Sequence, residues 1–234
     1  MRNLPALLLV HGAWHGPWCW QPLIEHLPGV DVRTVALPSS GADPADLGDL
    51  YDDAAAVAKT LASIGGPTVV VGHSYGGSPI TEAAAQVDNV IRLVYVTALM
   101  LDVGDSVLSA ADGVYPPYWD VRERPDGHPD KGFFQVSQPL EILYGDVDPE
   151  LARLSAAKLG RQSLASATQP LTEAAWRTVP STYIVCEADA AIPVPLQEAM
   201  AQRAQRTRQV DSAHSPFLSN PAELARILRE ELGG

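Results

Sequence analysis

One serine stands in a setting that would make it chemically active. In Val69-Val70-Val71-Gly72-His73-Ser74-Tyr75-Gly76-Gly77, an apolar β-branched run leads to Ser74, and glycines lie two residues away on both sides. Helix formers then continue through Ala85. A strand that turns sharply into a helix around such a serine is a nucleophile elbow. At the tip of so tight a turn the serine takes a strained backbone conformation, and a Cβ at Gly72 or Gly76 would clash with the chain. The hydroxyl is lifted clear of the sheet, and the amide N–H of Tyr75, at the start of a helix, faces the same space. The chemistry this prepares is attack on an acyl carbon.

A serine hydroxyl is a poor nucleophile and needs a base, an orienting acid and donors for the developing oxyanion. Of six histidines, His26 flanks the first helix and His128 lies in the polar stretch 122–131. His73 adjoins the serine but points away from its hydroxyl, and His11 and His15 shape a loop over the site. His214, after Val210-Asp211-Ser212-Ala213, fits the chain order serine, acid, histidine. The acid should follow a strand between the two, and Thr182-Tyr183-Ile184-Val185-Cys186-Glu187-Ala188-Asp189 supplies it. Asp189, on the turn, is the choice, with Glu187 and Asp102 as alternatives. Its work is to fix the imidazole tautomer and stabilise the imidazolium. The second oxyanion donor should be a backbone N–H after the first strand, in His11-Gly12-Ala13-Trp14. Gly12 permits a tight turn there, and the N–H of Ala13 points inward beside that of Tyr75. Trp14, Trp18 and Trp20 read as core or pocket wall, with Trp14 and Met100 assigned to the substrate pocket.

These groups must be carried by strands alternating with helices. Ala6–Val10 and Val90–Val96 are continuous apolar runs, as in strands buried on both faces of a parallel sheet. Asp31–Leu37, Thr68–Val71, Thr182–Cys186 and Thr207–Val210 read as further strands. Helices are expected over Pro17–Leu27 (with Pro22 within it), Leu47–Ile64, Tyr75–Gln86, Leu196–Gln205 and Ala222–Glu231. In Leu47–Ile64 the apolar residues fall at helical spacing, and Asp52 and Asp53 are placed on the outer side. This order implies an α/β fold: an open, mostly parallel sheet with helices on both faces.

The stretch 100–175 breaks the pattern. It holds Pro116-Pro117, Pro125, Pro129, Pro139, Pro149 and Pro170, many aromatic residues and one clear helix over Pro149–Lys158. It is too long for a plain connection and too apolar for a linker. We read it as a lid inserted into a core of residues 1–99 and 176–234, lying over the strand ends where Ser74 emerges. The alternative is an ordinary second lobe without a role in binding.

Composition narrows the field. The chain has 234 residues, 46 % of them hydrophobic and 19 % charged, which suits one large globular α/β domain. A formal charge of −12 spread along the chain argues against nucleic acid or an anionic membrane surface as partner. Two cysteines, Cys19 and Cys186, form neither a disulfide framework nor a metal motif. No apolar run is long enough to span a membrane. The expected protein is cytoplasmic, a monomer or homodimer, with no metal and no cofactor.

The opening His11-Gly12-Ala13-Trp14-His15-Gly16-Pro17-Trp18-Cys19-Trp20, the elbow, Asp189 with Ile192-Pro193, and His214 together resemble an α/β-hydrolase. The match is nearest to the branch of plant methylesterases, the salicylate-binding esterase and the hydroxynitrile lyases. It covers nearly the whole chain, and the 100–175 stretch takes part only loosely, through Tyr144-Gly145-Asp146-Val147-Asp148. The lyases carry threonine where Gly12 stands and a lysine soon after the catalytic histidine, where this chain has Ser215-Pro216. The resemblance therefore implies a serine esterase acting on a small-molecule ester, and weighs against cyanohydrin cleavage. A lactonase, another acyl-transfer or carbon–carbon bond enzyme, a cyclase, or a non-catalytic ligand-binding protein on this fold are the alternatives.

Overall fold

The computed structural model describes residues 4–122 and 132–233. Ten strands are present among them: β1 (Ala6–Val10), β2 (Val32–Val35), β3 (Ser40–Gly41), β4 (Thr68–His73), β5 (Val90–Val96), β6 (Trp119–Arg122), β7 (Phe133–Val136), β8 (Arg161–Ser163), β9 (Ser181–Cys186) and β10 (Arg206–Val210). Six of them form one sheet in the order β10-β9-β5-β4-β1-β2, and every neighbouring pair in it is parallel. The apolar runs explain the middle of this sheet. Every residue of β1, β4 and β9 is buried, as strands covered by helices on both faces must be.

From β1 the chain moves to one side to make β2, then returns to lay β4 on the other side of β1. That reversal opens a crevice at the carboxyl ends of β1 and β4, the place where open sheets of this kind receive ligands. Val10 is in register with Gly72, so the loop after β1 and the turn after β4 leave the sheet side by side.

The helices differ in detail from the periodicity. Pro17–Leu27 divides into a 3-10 turn, Pro17–Trp20, and a short helix, Gln21–Glu25. Pro22 sits in the first turn of that helix, where a missing N–H costs nothing, so it starts the helix and does not interrupt it. The helix expected from Leu47 begins at Leu50, capped by the Asp49 side chain and closed at its far end by left-handed Gly65. Its buried stripe is Leu50, Asp53, Ala54, Val57 and Leu61. The placing of Asp53 on the outer side is therefore corrected: it lies three residues after Leu50 and four before Val57, inside the apolar stripe. The elbow helix is Gly77–Ala83 between two 3-10 turns, and the last three helices are Val194–Ala201, the short Pro216–Ser219 and Pro221–Gly233.

Stretch 100–175 carries most of a second sheet that the proline-rich sequence did not reveal. It is antiparallel, in the order β3-β8-β7-β6. Its first strand comes from the main body, since β3 follows β2 in the chain. Residues 123–131, which include His128, Arg124 and Lys131, lie outside the described residues. No described helix is long and apolar enough to cross a membrane.

Candidate active site

Ser74 follows the last residue of β4 and has a φ of 54°, in the left-handed region that a side chain enters only when its surroundings force it. The surroundings do so by closeness. A Cβ on Gly76 would stand 2.6 Å from the carbonyl oxygen of His11, and one on Gly72 would stand 2.7 Å from that of Gly76. The elbow thus packs its own backbone onto the end of β1, and the Ser74 carbonyl receives the N–H of Leu99 at 3.0 Å.

Two strands further along the sheet, β9 and β10 deliver the remaining polar groups. Val210 is in register with Cys186, so the loops that follow run together. His214 Nε2 lies 3.0 Å from Ser74 Oγ, and its Nδ1 lies 2.7 Å from Asp189 Oδ2. An ionised Asp189 only accepts, so Nδ1 carries the hydrogen and Nε2 presents its lone pair to the serine. Asp189 is further held by the Thr97 hydroxyl on Oδ2, and by the N–H groups of Ala191 and Ile192 on Oδ1 at 2.7 and 3.0 Å. Burial works to raise this carboxyl, but the neighbouring imidazole and the donated hydrogen bonds outweigh it, so its pKa lies below the ordinary value. The two other acids stand elsewhere. Glu187 is exposed, and Asp102 is paired at 2.7 Å with Arg177 on the surface.

The remaining described histidines near the site are buried and neutral. His11 donates from Nδ1 to the Gly12 carbonyl and accepts the Leu37 N–H on Nε2 at 3.1 Å. His15 donates to the Ala13 carbonyl at 2.9 Å and accepts the Tyr144 hydroxyl at 2.8 Å. Burial depresses them to about 4 and about 3 respectively. His73 does turn away from the serine. Its Nε2 donates to the backbone oxygen of His214 at 2.8 Å, anchoring the loop that carries that residue. Desolvation pushes its pKa far down as well.

The loop after β1 differs from expectation in one respect. Its left-handed residue is Trp14, with φ 64°, and Gly12 is needed for space: a Cβ there would lie 2.8 Å from both His73 Nδ1 and Ser74 Cβ. Ala13, Trp14, Ser74, Tyr75 and His214 all line one cavity of about 520 Å³, within the range of small-molecule sites. Tyr75 is also the second residue of a 3-10 turn, so its N–H belongs to the donors that a helix start leaves free.

Much of the cavity wall comes from stretch 100–175, including Val107, Tyr118, Trp119 and Phe134. The Trp119 ring stacks on Phe134 with centroids 4.0 Å apart, and Trp14 meets Phe134 edge-on at 5.5 Å. No lysine or arginine lines it among the described residues, and Asp112 is its one acidic side chain. Met100 does not reach it. Met100 is fully buried and does not line the cavity, while its neighbour Leu99 does. The sequence reading did not single out Leu99 or the acid-loop residues Ala191 and Ile192 as cavity residues. Only the partial apolar character of their segments hinted at them.

Comparison with known proteins agrees with this architecture. Residues 7–227 match the model of the Alpha/beta hydrolase family. The chain is 29 % identical to the alpha/beta hydrolase nvfD of Aspergillus novofumigatus over 98 % of its own length and 97 % of the relative's. It is also 29 % identical to methylesterase 7 of Arabidopsis thaliana, covering 98 % of this chain and 96 % of that one. The crystal structure of a pyrethroid hydrolase from Sphingobium faniae JZ-2 superposes with a TM-score of 0.83 at 22 % identity, over 98 % of each chain.

Proposed function

The chain belongs to the alpha/beta hydrolase family, and from that premise we propose that it is a serine esterase that cleaves small, largely apolar carboxylic esters through an acyl-enzyme. The observation that carries this reading is the unbroken line from Ser74 Oγ to His214 Nε2 at 3.0 Å and from His214 Nδ1 to Asp189 at 2.7 Å, at the floor of an apolar cavity.

Ser74 Oγ adds to the ester carbonyl carbon while His214 Nε2 takes its proton. The carbonyl π pair moves to oxygen, and the N–H groups of Ala13 and Tyr75 receive the oxyanion. As the intermediate collapses, the bond to the alcohol oxygen breaks and His214 returns the proton to it. Water then adds to the acyl-serine by the same route, releasing the acid and restoring Ser74. Asp189 keeps the imidazole in the tautomer that the first step needs.

In this reading stretch 100–175 is the lid, and residues 1–99 with 176–234 are the catalytic core. The lid's aromatic wall supports an apolar substrate, since such a surface gains affinity by releasing water, at roughly 25 cal/mol per Å² before ordering costs. Ester cleavage in particular is supported by the likeness to methylesterase 7. The test is turnover of p-nitrophenyl butyrate, followed by mass spectrometry of the rapidly quenched enzyme. Hydrolysis with an acyl adduct on Ser74, both absent in Ser74→Ala, is the expected result. Undiminished turnover in Ser74→Ala would overturn it.

A further inference from the structure

The buried stripe of helix Leu50–Ile64 holds one group that the acyl chemistry leaves unexplained. Asp53 has no exposed surface, and an apolar residue at this position would be far easier to bury. Its carboxyl accepts the Ser39 N–H at 2.8 Å, the Ser39 hydroxyl, and the Tyr75 hydroxyl at 2.6 Å. Burial pushes it up to about 7, against the pull of these hydrogen bonds.

The line continues beyond Ser39. Gln162 of β8 donates from Nε2 to Ser39 Oγ and to Ser166 Oγ, both at 2.7 Å. Its Oε1 accepts the backbone N–H of Trp14 at 3.3 Å. The direction of the bonds from Trp14 through Gln162 and Ser39 is determined. A backbone N–H fixes which end of the Gln162 amide is oxygen. Ser39 Oγ then accepts from its nitrogen and gives its own hydrogen to Asp53.

The two ends of the line matter most. One is Tyr75, the residue after Ser74. The other is Trp14, the residue after Ala13, held in its left-handed conformation through all its polar groups. Besides its N–H, its indole Nε1 donates to the Phe134 carbonyl at 3.1 Å and its own carbonyl receives the Gly160 N–H at 2.7 Å. We propose that Asp53, Ser39 and Gln162 are positioning residues, and that this buried line sets the separation and aim of the Ala13 and Tyr75 N–H groups on the oxyanion. The inference rests on the acyl-transfer reading above. Its physical basis is that two donors on separate loops stabilise a transition state only when held at hydrogen-bond distance from where the oxygen arrives.

The experiment compares two inhibitors of equal chain length. An alkyl trifluoromethyl ketone is attacked by Ser74: an Oγ–C bond forms, the carbonyl π pair becomes an oxyanion, and the serine proton passes to His214. The matching methyl ketone binds without adding. Gln162→Leu is expected to lower kcat on p-nitrophenyl butyrate by about 10- to 100-fold with KM changed less than about twofold. It should weaken the trifluoromethyl ketone by the same factor and leave the methyl ketone unchanged. Tyr75→Phe, which deletes one oxygen and keeps the ring, should show the same pattern at about 3- to 10-fold, and it decides the matter if Gln162→Leu does not fold. Unchanged trifluoromethyl ketone inhibition in a folded variant, or equal loss for both ketones, overturns the proposal. A wild-type enzyme that does not add to the trifluoromethyl ketone would instead overturn the acyl-transfer reading on which it rests.

Discussion

Thr97 and His214 share a single oxygen: the threonine hydroxyl and the imidazole Nδ1 both donate to Asp189 Oδ2. Thr97 is fully buried and has a φ of 36°, unusual for a β-branched residue, so the chain bends just after β5 to place this hydroxyl. In Thr97→Val the carboxylate loses one donor and its charge falls more fully on the imidazolium. The acidic limb of the kcat/KM profile should move to higher pH, with KM little changed. A profile that overlays the wild type would show that the hydroxyl serves packing alone.

Removing the proposed catalytic groups should be far costlier. Ser74→Ala, His214→Ala and Asp189→Asn should each lower kcat by at least about 10³-fold without unfolding the protein, because the three act as a unit. Glu187→Gln and Asp102→Asn should remain close to wild type. Steady-state kinetics with circular dichroism checks both, and a strong loss in either of the last two would move the acid's role elsewhere.

Acid should weaken the fold steeply. His11 and His15 have folded pKa values of about 4 and about 3, against an ordinary 6.5, and His73 is also shifted well down. The unfolded chain therefore binds more protons below pH 6.5, and stability is lost as pH falls from there towards 4. Each such histidine adds up to about 1.4 kcal/mol per pH unit to the slope. Asp189, depressed, adds to the loss below its ordinary value. Asp53, raised to about 7, works the other way and offsets one histidine between pH 4 and 7. Urea midpoints measured from pH 7 to 4 should fall with more than one proton taken up on unfolding, and a flat response would contradict the buried neutral imidazoles.

The elbow should tolerate no added carbon. Gly76→Ala places a Cβ against two carbonyl oxygens, those of His11 and Val10, at 2.6 and 2.7 Å, and neither can move without displacing β1. A loss of about 2 kcal/mol or more is expected, at the upper part of the range for overpacked sites. Denaturant unfolding of the variant tests it.

Substrate charge should matter more than modest changes in size. No lysine or arginine lines the cavity among the described residues and Asp112 stands in its wall, so an anionic acyl group meets no counter-charge. In a panel of matched p-nitrophenyl esters, uncharged acyl groups should exceed hemi-dicarboxylates in kcat/KM by at least about tenfold. A reversed ranking would place a cation where the described wall has none.

Sequence pattern was informative where the signal is local. The valines before Gly72 and the glycines around Ser74 announce the elbow, and the apolar runs Ala6–Val10 and Val90–Val96 announce the middle of the main sheet. It failed where tertiary pairing decides. Strands β6, β7 and β8 are too short, and their neighbours too rich in proline, for alternation to show. Asp53 reads as a surface acid because its partners, Ser39 and Tyr75, are remote in sequence. Met100 is assigned to the pocket from sequence, but its neighbour Leu99 lines the cavity, and no strand pattern at residues 98–100 tells the two apart. The turn position of Asp189, further from the strand end than Glu187, guided its choice, whereas one of the groups that hold it, the Thr97 hydroxyl just after β5, is remote in sequence.

The links that complete the Ser74 neighbourhood are made late in the polypeptide. The turn itself needs only neighbouring residues, but the loop of Ala13 is held by Gly160 and Gln162, and the imidazole arrives after β10, an outermost strand. A chain emerging from the ribosome therefore displays its serine long before it acquires the group that would take the proton. In the proposed mechanism, a chain without β10 and the loop after it has no group to take the Ser74 proton. Contacts of this long sequence separation also slow folding, since loop closure must precede their reward.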